Sequence, residues 1–382
     1  MTTAGAMWRL VNKFVIIGSA EDQRIERFQA ALTRVGLPAA HFVDYPDLIK
    51  GHITLGDILE RGDILRIESP GKSAETEQLL LQLGKHDVEP HFERSPSTRQ
   101  PEGFIYASRQ WYLGLCAVLD QIDSQRASAP PHHIMNGTDA IRTMFDKSAT
   151  QKILQASGIS IPFFFPPIHN YEQLRTQMTT LGIHRVFIKL AHGSSASGAI
   201  AYETNGRQEK ATTTIEHDNQ WRLFNSLRVR TLHDSATIRP LIDTLCRHRV
   251  HVEQWIPKGS LDQQRFDVRV LVIAGQAQHS VVRLSNSPFT NLHLGNNRKP
   301  IERLIDQTSL TQWKAVERTC QQAAACFPDA FYAGIDLLFT PNLNRHFILE
   351  LNAFGDLLFH VYRDGMDTYE MQIRHFISQY TN

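Results

Sequence analysis

Residues Ala333–Asn352 read Ala-Gly-Ile-Asp-Leu-Leu-Phe-Thr-Pro-Asn-Leu-Asn-Arg-His-Phe-Ile-Leu-Glu-Leu-Asn, and this stretch decides how the chain is interpreted. Two apolar runs of strand length flank a turn rich in Pro and Asn, a pattern that predicts a β-hairpin. If the hairpin is centred on Leu343, Asp336 and Glu350 lie directly opposite each other. Asn352 lies two residues beyond Glu350, so its side chain projects from the same face of the strand.

Two carboxylates at facing positions of a hairpin repel each other, because facing Cβ atoms are only about 4.5–5.5 Å apart. Between apolar neighbours this repulsion needs a compensating cation, and hard oxygen ligands select Mg²⁺ or Mn²⁺. The sequence therefore predicts a metal site made by Asp336, Glu350 and Asn352, with substrate phosphates completing the shell. The alternative is an edge hairpin whose acids face water, which runs as apolar as Ile-Asp-Leu-Leu-Phe disfavour.

The composition is that of a soluble globular protein. The 382 residues suggest two or three domains, and 42% are hydrophobic and 21% charged. A net charge of +1 gives no electrostatic case for nucleic acid or an anionic membrane as a partner. No secretory signal or membrane-length apolar run is apparent, and the four cysteines lack metal or redox spacing. These features predict a cytoplasmic protein.

The first part of the chain alternates predicted strands with predicted helices, which indicates a small parallel α/β layer. A loop rich in Pro and Ser at 124–133 predicts a domain boundary, and a strand near 250–257 ends at a proline. The predicted domains are 1–133, 134–257 and 258–382. The predicted elements of the first layer are strands at 13–18, 40–44 and 63–68, with helices at 21–35 and 73–84.

A glycine- and serine-rich loop follows the strand that ends at Lys189. This loop, His192-Gly-Ser-Ser-Ala-Ser-Gly198, offers backbone N–H groups and hydroxyls that can wrap phosphate oxygens, although a plain flexible turn has the same composition. A helix containing Asp146 and Lys147, ending near Gly158, precedes it. The segment 216–234 is poorly patterned and is left without a predicted structure.

Two arginines lie within predicted strands. Asp267 and Arg269 share one face of an alternating strand, and Arg283 lies among apolar residues of the returning strand. Burying such arginines is costly without anionic partners, so the alternative is an exposed sheet face. Together with the lysines, the loop and the carboxylate pair, the arginines form a set complementary to Mg²⁺ and a polyphosphate.

The order of these features resembles the ATP-grasp superfamily from about Ile134 to the C-terminus. The last matching pieces look most like the branch of glutamate ligases that modify ribosomal protein tails, and the block 267–295 resembles an uncharacterised bacterial subgroup. Residues 13–90 look like a pre-ATP-grasp domain. The matching pieces are Asp146-Lys147, Phe187-Ile-Lys189, Gly193–Gly198, Glu253-Gln-Trp-Ile256, Asp267-Val-Arg269, Arg283, Asn291-Leu-His293-Leu-Gly295, Gly334-Ile-Asp336 and Glu350-Leu-Asn352.

The resemblance implies an α/β (α+β) ATP-grasp fold in which a nucleotide is held between two α+β subdomains, preceded by an N-terminal Rossmann-like pre-ATP-grasp α/β domain. It also implies a role for each matching position. Lys147 and Lys189 would hold the α- and β-phosphates, and Arg269 and Arg283 would stabilise the γ-phosphoryl group and a tetrahedral intermediate. Two Mg²⁺ ions would be bound by Asp336, Glu350 and Asn352. The remaining nucleotide contacts would come from Gly193, Ser194, Ser195, Ser197, Glu253, the backbone of Gln254, Trp255 and Ile256, and from Asp267, Asn291 and His293.

The activity that the resemblance implies is that of an ATP-dependent carboxylate–amine ligase, an enzyme that forms an amide bond through an acyl phosphate and releases ADP and phosphate. Its cofactors would be ATP and Mg²⁺, with Mn²⁺ as a substitute, and its substrates small-molecule or peptide acids and amines. A homodimer is left open as a possible assembly. Two alternatives have the same nucleotide site: a small-molecule kinase on the same scaffold, and a nucleotide-binding protein without turnover.

Overall fold

The structure is a computed structural model that describes residues 13–71, 73–87, 103–193, 197–290, 295–354 and 358–381. Within these ranges the strands form three sheets, one parallel and two antiparallel, with helices packed against them. The predicted contacts of Ser194, Ser195, Asn291 and His293 lie outside the described residues.

The strands follow the alternation and turn signals of the sequence. In chain order they are β1 (Phe14–Gly18), β2 (His41–Asp44), β3 (Ile64–Ile67), β4 (Phe104–Ile105), β5 (His133–Ile134), β6 (Arg185–Leu190), β7 (Ile200–Thr204), β8 (Glu209–His217), β9 (Leu223–Leu232), β10 (Val250–Gln254), β11 (Ser260–Leu261), β12 (Gln264–Ile273), β13 (Gln276–Ser285), β14 (Asn297–Pro300), β15 (Tyr332–Phe339) and β16 (His346–Asn352).

None of the helices in the described ranges has the length and apolar character needed to cross a membrane. In chain order the helices are α1 (Gln23–Arg34), α2 (Tyr45–Ile49), α3 (Leu55–Ile58), α4 (Ala74–Leu83), α5 (Ser108–Ala127), α6 (Thr138–Phe145), α7 (Lys147–Ala156), α8 (Tyr171–Leu181), α9 (Ser235–Cys246), α10 (Glu302–Ile305), α11 (Leu310–Ala325) and α12 (Thr368–Thr381).

The N-terminal sheet is parallel, with strand order β2-β1-β3-β5. Its strands are apolar on both faces because helices cover both sides. On one face Phe14 and Ile16 pack with Phe28 of α1, and on the other Val15 packs with Leu115 of α5. The parallel α/β layer predicted from the sequence is thus confirmed.

The central sheet is antiparallel, with order β10-β6-β7-β8-β9-β4. The turn at Asn205-Gly206 joins β7 to β8 as predicted. The segment that the sequence left without a prediction forms the turn after β8 and the whole of β9. Strand β4 comes from the predicted first domain, yet it pairs with β9 through Phe104 and Phe224. The proposed domain limits themselves stay a prediction.

The predicted helix around Asp146 is broken in two. Asp146 has extended backbone angles (φ −91°, ψ 104°), and its carboxylate accepts a hydrogen bond from the Ala149 amide at 3.0 Å. An aspartate in this position satisfies an amide that a helix start leaves without a partner. The break corrects the prediction of one continuous helix, and it makes Lys147 the first residue of α7.

The C-terminal sheet has order β14-β13-β12-β15-β16, and β11 pairs with β12. Alternation gives the sheet two different faces. Val268, Val270 and Ile335 pack with Trp313 and other apolar residues of α11 to form one core. The opposite face carries the charged side chains that the sequence singled out.

The hairpin β15–β16 pairs Asp336 with Glu350, and Gly334 with Asn352, so the predicted facing positions are confirmed. The pairing near the turn is not that of a regular hairpin centred on Leu343. Near the turn, Leu337 pairs with Ile348, and the register shifts between Leu337 and Asp336. Without this β-bulge Asp336 would face Leu349, so the bulge brings the two carboxylates together.

Candidate nucleotide and metal site

We refer to the region where the central sheet meets the C-terminal sheet as the cleft, and Lys189 of β6 and Glu350 of β16 interact electrostatically across it. The side chains of β6 and β10 alternate, so that Val186 and Ile188 pack into the central core while Phe187 and Lys189 lie on the other face. This second face meets the charged face of the C-terminal sheet. Contact is made by Phe187 of β6 and Phe289 of the loop after β13, whose ring centroids lie 5.9 Å apart. Lys147 of α7 also reaches the C-terminal sheet, with its Nζ atom 3.7 Å from Glu350 Oε2.

Asp336 is held by the two arginines predicted to be catalytic. Nη2 of Arg269 donates to Asp336 Oδ2 at 2.8 Å, and the Arg269 Nε also donates to the same carboxylate. Nη2 of Arg283 lies 2.8 Å from Asp336 Oδ1. All three side chains are nearly buried, so the arginines have the anionic partners that their burial requires. The structure therefore supports the buried interpretation of these arginines and not the exposed one.

Asp267 extends this network. Arg283 Nε donates to Asp267 Oδ1 at 2.7 Å, and Lys258 Nζ lies 3.3 Å from Asp267 Oδ2. Lys258 also donates to Thr290 Oγ1 at 2.7 Å. Burial, the cation of Arg283 and that of Lys189 lower the pKa of Lys258 despite Asp267. Burial acts to raise the pKa of Asp267, but Arg283 and Lys258 outweigh it and lower that pKa.

Glu350 lies close to two lysines of the other side of the cleft, Lys147 and Lys189. Burial acts to raise its pKa, but the charges of Lys147, Lys189 and Arg269 outweigh burial and lower the pKa to about 2. The third predicted ligand, Asn352, donates from Nδ2 to the Gly334 carbonyl at 3.3 Å, which leaves Oδ1 as the oxygen it can offer a cation.

The side chain of Lys189 is positioned by Glu253, whose carboxylate lies between Lys189 and His251. It donates to Glu253 Oε1, and the other oxygen, Oε2, lies 3.4 Å from His251 Nε2. Ser148 Oγ lies 3.2 Å from the other nitrogen of His251. Burial acts to raise the pKa of Glu253, but Lys189 and His251 lower it to about 2. Burial acts to lower the pKa of Lys189, but Glu253 and Glu350 raise it.

The start of the glycine-rich loop is tied to Lys147. The Lys147 amide donates to the Ala191 carbonyl at 3.2 Å, and its Nζ donates to the Gly193 carbonyl at 2.6 Å. His192 Nε2 lies 3.2 Å from Asp146 Oδ2. Burial acts to raise the pKa of Asp146, but contacts with His192 and with the amides of α7 lower it to about 2. Ser197 is half-buried at the far end of the loop.

A small apolar cluster occupies the cleft beside the lysines. The ring of Phe187 lies 5.3 Å from that of Trp255 and 5.9 Å from that of Phe289, between centroids. Ala199 and Ala201 belong to the same cluster, which joins the central sheet to the loop after β13. The Gln254 amide donates to the Phe163 carbonyl and the Trp255 amide to the Arg185 carbonyl, so the sheet already uses both amides.

The oxygen donors of Asp336, Glu350 and Asn352 fit a hard cation such as Mg²⁺. They converge because the bulge places Asp336 opposite Glu350 and because Asn352 follows on the same face. Across the described ranges, no group of three or more His, Cys, Asp or Glu side chains is arranged to hold a metal. The predicted set contains two carboxylates and an amide, so substrate oxygens would have to complete it.

Several residues of the cleft were not identified from the sequence. The period of two in β6 places Phe187 on the face of Lys189, and this signal could have identified Phe187. Lys258 and Phe289 lie in irregular segments, and only the tertiary structure brings them to Asp267 and Phe187. The role of His251 follows from its position opposite Lys189 in the β6–β10 pair.

Comparison by sequence gives no relatives: no protein-family profile matches this chain, and no curated protein does. Comparison by structure finds solved structures that are similar to this chain. The chain is similar to the ATP-grasp ligase PsnB complexed with a minimal precursor, at 16% identity and a TM-score of 0.54, over 96% of this chain and 99% of that one.

Two further solved structures are similar over nearly their whole length. One is the macrocyclase MdnC bound with precursor peptide MdnA from Microcystis aeruginosa MRC, at 12% identity and a TM-score of 0.54, covering 96% of this chain and 100% of that one. The other is D-alanine–D-alanine ligase from Bacillus anthracis complexed with ATP, at 12% identity and a TM-score of 0.52, covering 97% and 99%. The predicted fold is confirmed: the chain has the mixed α/β fold of ATP-grasp ligases.

Proposed function

We propose that this protein is an ATP-dependent carboxylate–amine ligase that forms an amide bond and releases ADP and phosphate. One observation carries the proposal. In a fold shared with ATP-grasp ligases, the facing carboxylates Asp336 and Glu350 are surrounded by lysines and arginines from helix α7 and from both sheets. Such an alternation of charges suits a metal–polyphosphate complex, which brings both signs of charge at once.

The nucleotide would lie in the cleft. Lys147 and Lys189 would hold phosphate oxygens, with the start of the glycine-rich loop beside them. The purine would pack against Phe187, Trp255 and Phe289, whose rings already form an apolar slot. Because the sheet uses the amides of Gln254 and Trp255, the amide of Ile256 and nearby carbonyls would contact the adenine edge.

Asp336, Glu350 and Asn352 would hold Mg²⁺. When bound, the metal neutralises phosphate charge and polarises the phosphoryl group. The arginines that now pair with Asp336 would then be able to turn toward the phosphoryl oxygens. Glu350, kept ionised by the lysines around it, would be ready to bind a cation at any pH near neutrality.

The proposed reaction has two steps. The oxygen of a substrate carboxylate attacks the γ-phosphorus of ATP, the bond to the bridging oxygen breaks, and ADP leaves. An amine then attacks the acyl phosphate carbonyl, and phosphate leaves as the amide forms and the amine loses a proton. Arg269 and Arg283 would stabilise the negative charge that grows on oxygen in both steps, and positioning supplies much of the rate.

The solved structures of this fold include enzymes with peptide precursors and a D-alanine–D-alanine ligase. Peptide and small-molecule acids and amines are therefore both within the proposal. The kinase alternative has no observation of its own in this cleft, but the test below separates it from the ligase.

Phosphorus NMR of γ-phosphate transfer tests the proposal. The protein is incubated with ATP, Mg²⁺ and pools of amino acids, small carboxylates and peptides. ADP and free phosphate that accumulate only when an acid and an amine are both present would support a ligase. A new stable phosphate ester on an acceptor would identify a kinase and reject the acyl phosphate. Glu350→Gln should abolish turnover, whereas Glu302→Gln, at an exposed position on α10, should not.

A further inference from the structure

Arg109, the second residue of α5, reaches the base of the glycine-rich loop. Its Nη1 lies 3.2 Å from His192 Nε2, and its Nε is buried without a hydrogen-bond partner. In the described ranges no carboxylate oxygen lies within ion-pair distance of this guanidinium. Arg109 is therefore a half-buried cation whose nearest polar neighbour is a histidine.

The other arginines of the cleft differ from Arg109 in this respect. Arg269 is paired with Asp336, and Arg283 with both Asp267 and Asp336. Arg109 is partly removed from water, and its guanidinium also lies 5.4 Å from the centroid of the Tyr112 ring. Its buried Nε has no hydrogen-bond acceptor, which makes Arg109 a candidate to bind an anionic ligand.

His192 cannot satisfy both of its neighbours. Burial lowers the pKa of His192, although Asp146 acts to raise it, so the imidazole is neutral near pH 7. A neutral imidazole carries one hydrogen. Its Nε2 atom, which lies 3.2 Å from both Arg109 and Asp146, either donates to Asp146 or accepts from Arg109. Stacking on Tyr112, at 4.1 Å between centroids, holds the ring in this position.

The location of Arg109 indicates what kind of anion would bind. His192 directly precedes Gly193, whose carbonyl accepts a hydrogen bond from Lys147 Nζ at 2.6 Å. Lys147 in turn lies 3.7 Å from Glu350 of the candidate metal site. Arg109 is thus connected to Lys147, the lysine proposed to bind phosphate, through the adjacent residues His192 and Gly193. Arg109 itself belongs to the N-terminal part of the chain.

We infer that Arg109 binds an oxyanion of the proposed ligase reaction, a phosphoryl or carboxylate group located at the base of the glycine-rich loop. The anion would take the hydrogen bonds of Arg109, and His192 would then donate to Asp146 alone. This inference deepens the proposed function and rests on it, because two anions of that reaction could occupy the place: the γ-phosphoryl group of ATP and the substrate carboxylate.

The first test uses no nucleotide. Thermal unfolding is followed in increasing inorganic phosphate for the wild type, Arg109→Gln, Arg109→Lys and Arg126→Gln. Arg126 is a matched control, because it lies on the same helix but is already paired with Asp123 at 3.1 Å. Phosphate should raise the unfolding temperature of the wild type and Arg126→Gln equally, raise that of Arg109→Lys less, and raise that of Arg109→Gln least, because Lys147 and Lys189 remain as phosphate ligands in that variant. An equal rise in all four proteins would overturn the inference.

The second test identifies the source of the anion by calorimetric titration with Mg²⁺ and either ADP or a non-hydrolysable ATP analogue. If Arg109 binds the γ-phosphoryl group, Arg109→Gln weakens binding of the analogue about tenfold or more and leaves ADP binding unchanged. If it binds the carboxylate, both nucleotide affinities are unchanged, and acetate raises the unfolding temperature of the Mg²⁺–ADP complex only in the wild type and the control.

Two outcomes separate failure of the inference from failure of the proposed function. A wild type that binds neither nucleotide contradicts the proposed function, whereas the phosphate titration still tests Arg109. A different result would show that Arg109 only supports the structure of the loop and would reject an anion site. In that case Arg109→Gln would have a lower unfolding temperature than the wild type, would lose affinity for ADP and for the analogue by the same factor, and would be stabilised by phosphate as much as the wild type.

Discussion

Asp336 and Glu350 face each other across β15 and β16, yet the cations nearest to them come from different parts of the fold. Asp336 is paired with Arg269 and Arg283, all on the C-terminal sheet, whereas Glu350 lies nearest to Lys147 of α7. The two carboxylates of the candidate metal site therefore differ in function: one belongs to a fixed network, and the other connects two parts of the cleft.

Glu350→Gln should separate metal binding from nucleotide binding. Loss of this carboxylate frees Lys147 and Lys189, so ATP without Mg²⁺ should bind more tightly than to the wild type. The gain in ATP affinity that Mg²⁺ gives the wild type should fall tenfold or more, because one of two metal carboxylates is missing. Calorimetric titration with and without Mg²⁺ measures both effects, with Glu302→Gln as control. An unchanged Mg²⁺ dependence would remove Glu350 from the metal site.

Asp336→Asn should destabilise the fold. It leaves Arg269 and Arg283 buried with one carboxylate fewer, and breaking a buried pair in this way costs about 3–5 kcal/mol. Urea unfolding at pH 7 measures the loss, and Asp329→Asn at an exposed position serves as control. A loss below about 1 kcal/mol would mean that water or other groups solvate the arginines and that the network is not buried as described.

Lowering the pH should reduce the free energy of unfolding through protonation of Glu253. Its pKa is lowered to about 2 in the folded state, so its contribution to the free energy of unfolding is complete above the unfolded pKa, near 4.3, and is lost as the pH falls toward 2. The contribution is on the order of 3 kcal/mol. Urea unfolding at pH 7 and pH 3 should show a smaller pH-dependent loss for the double variant Glu253→Gln/Lys189→Met than for the wild type. Equal losses would contradict the assignment.

Phe289→Ala should weaken nucleotide binding without affecting the phosphate contacts. Phe289 packs on Phe187 in the slot proposed for the purine. The expected effect is about a tenfold loss of ATP affinity, since stacking on an aromatic ring is worth roughly 1–3 kcal/mol. Tripolyphosphate, which lacks the base, should bind both proteins equally. A parallel loss for tripolyphosphate would show that Phe289 supports the fold of the cleft.

Much of this cleft could be predicted because its residues follow local patterns. The apolar runs around Asp336 and Glu350 predicted the hairpin, and the pairing was correct. The bulge at Leu349 could not be predicted, since nothing in the local sequence requires an extra residue there. The break at Asp146 was predictable in principle, because aspartate before Lys147-Ser-Ala is a common helix start.

Contacts between distant segments could not be predicted from the sequence. Arg109 and His192 are separated by 83 positions, and Lys258 meets Thr290 across 32. No periodicity connects such residues. The partners of the buried arginines were predictable only in part. The sequence implied that Arg269 and Arg283 need anions, but only the register of β12, β13 and β15 identifies these anions as Asp267 and Asp336.

The short strand β4 has a consequence for how the protein can be divided. Phe104 and Ile105 pair with β9, and the Gly103 carbonyl accepts a hydrogen bond from the Asn225 amide at 2.6 Å. A fragment of residues 134–257 would lack this strand and would expose the edge of β9, where Leu227 is already 72% exposed. Open edges of this kind pair with other chains. The central sheet is thus completed by a strand from the first part of the same chain. A fragment of residues 134–257 should therefore form oligomers and not a stable monomer.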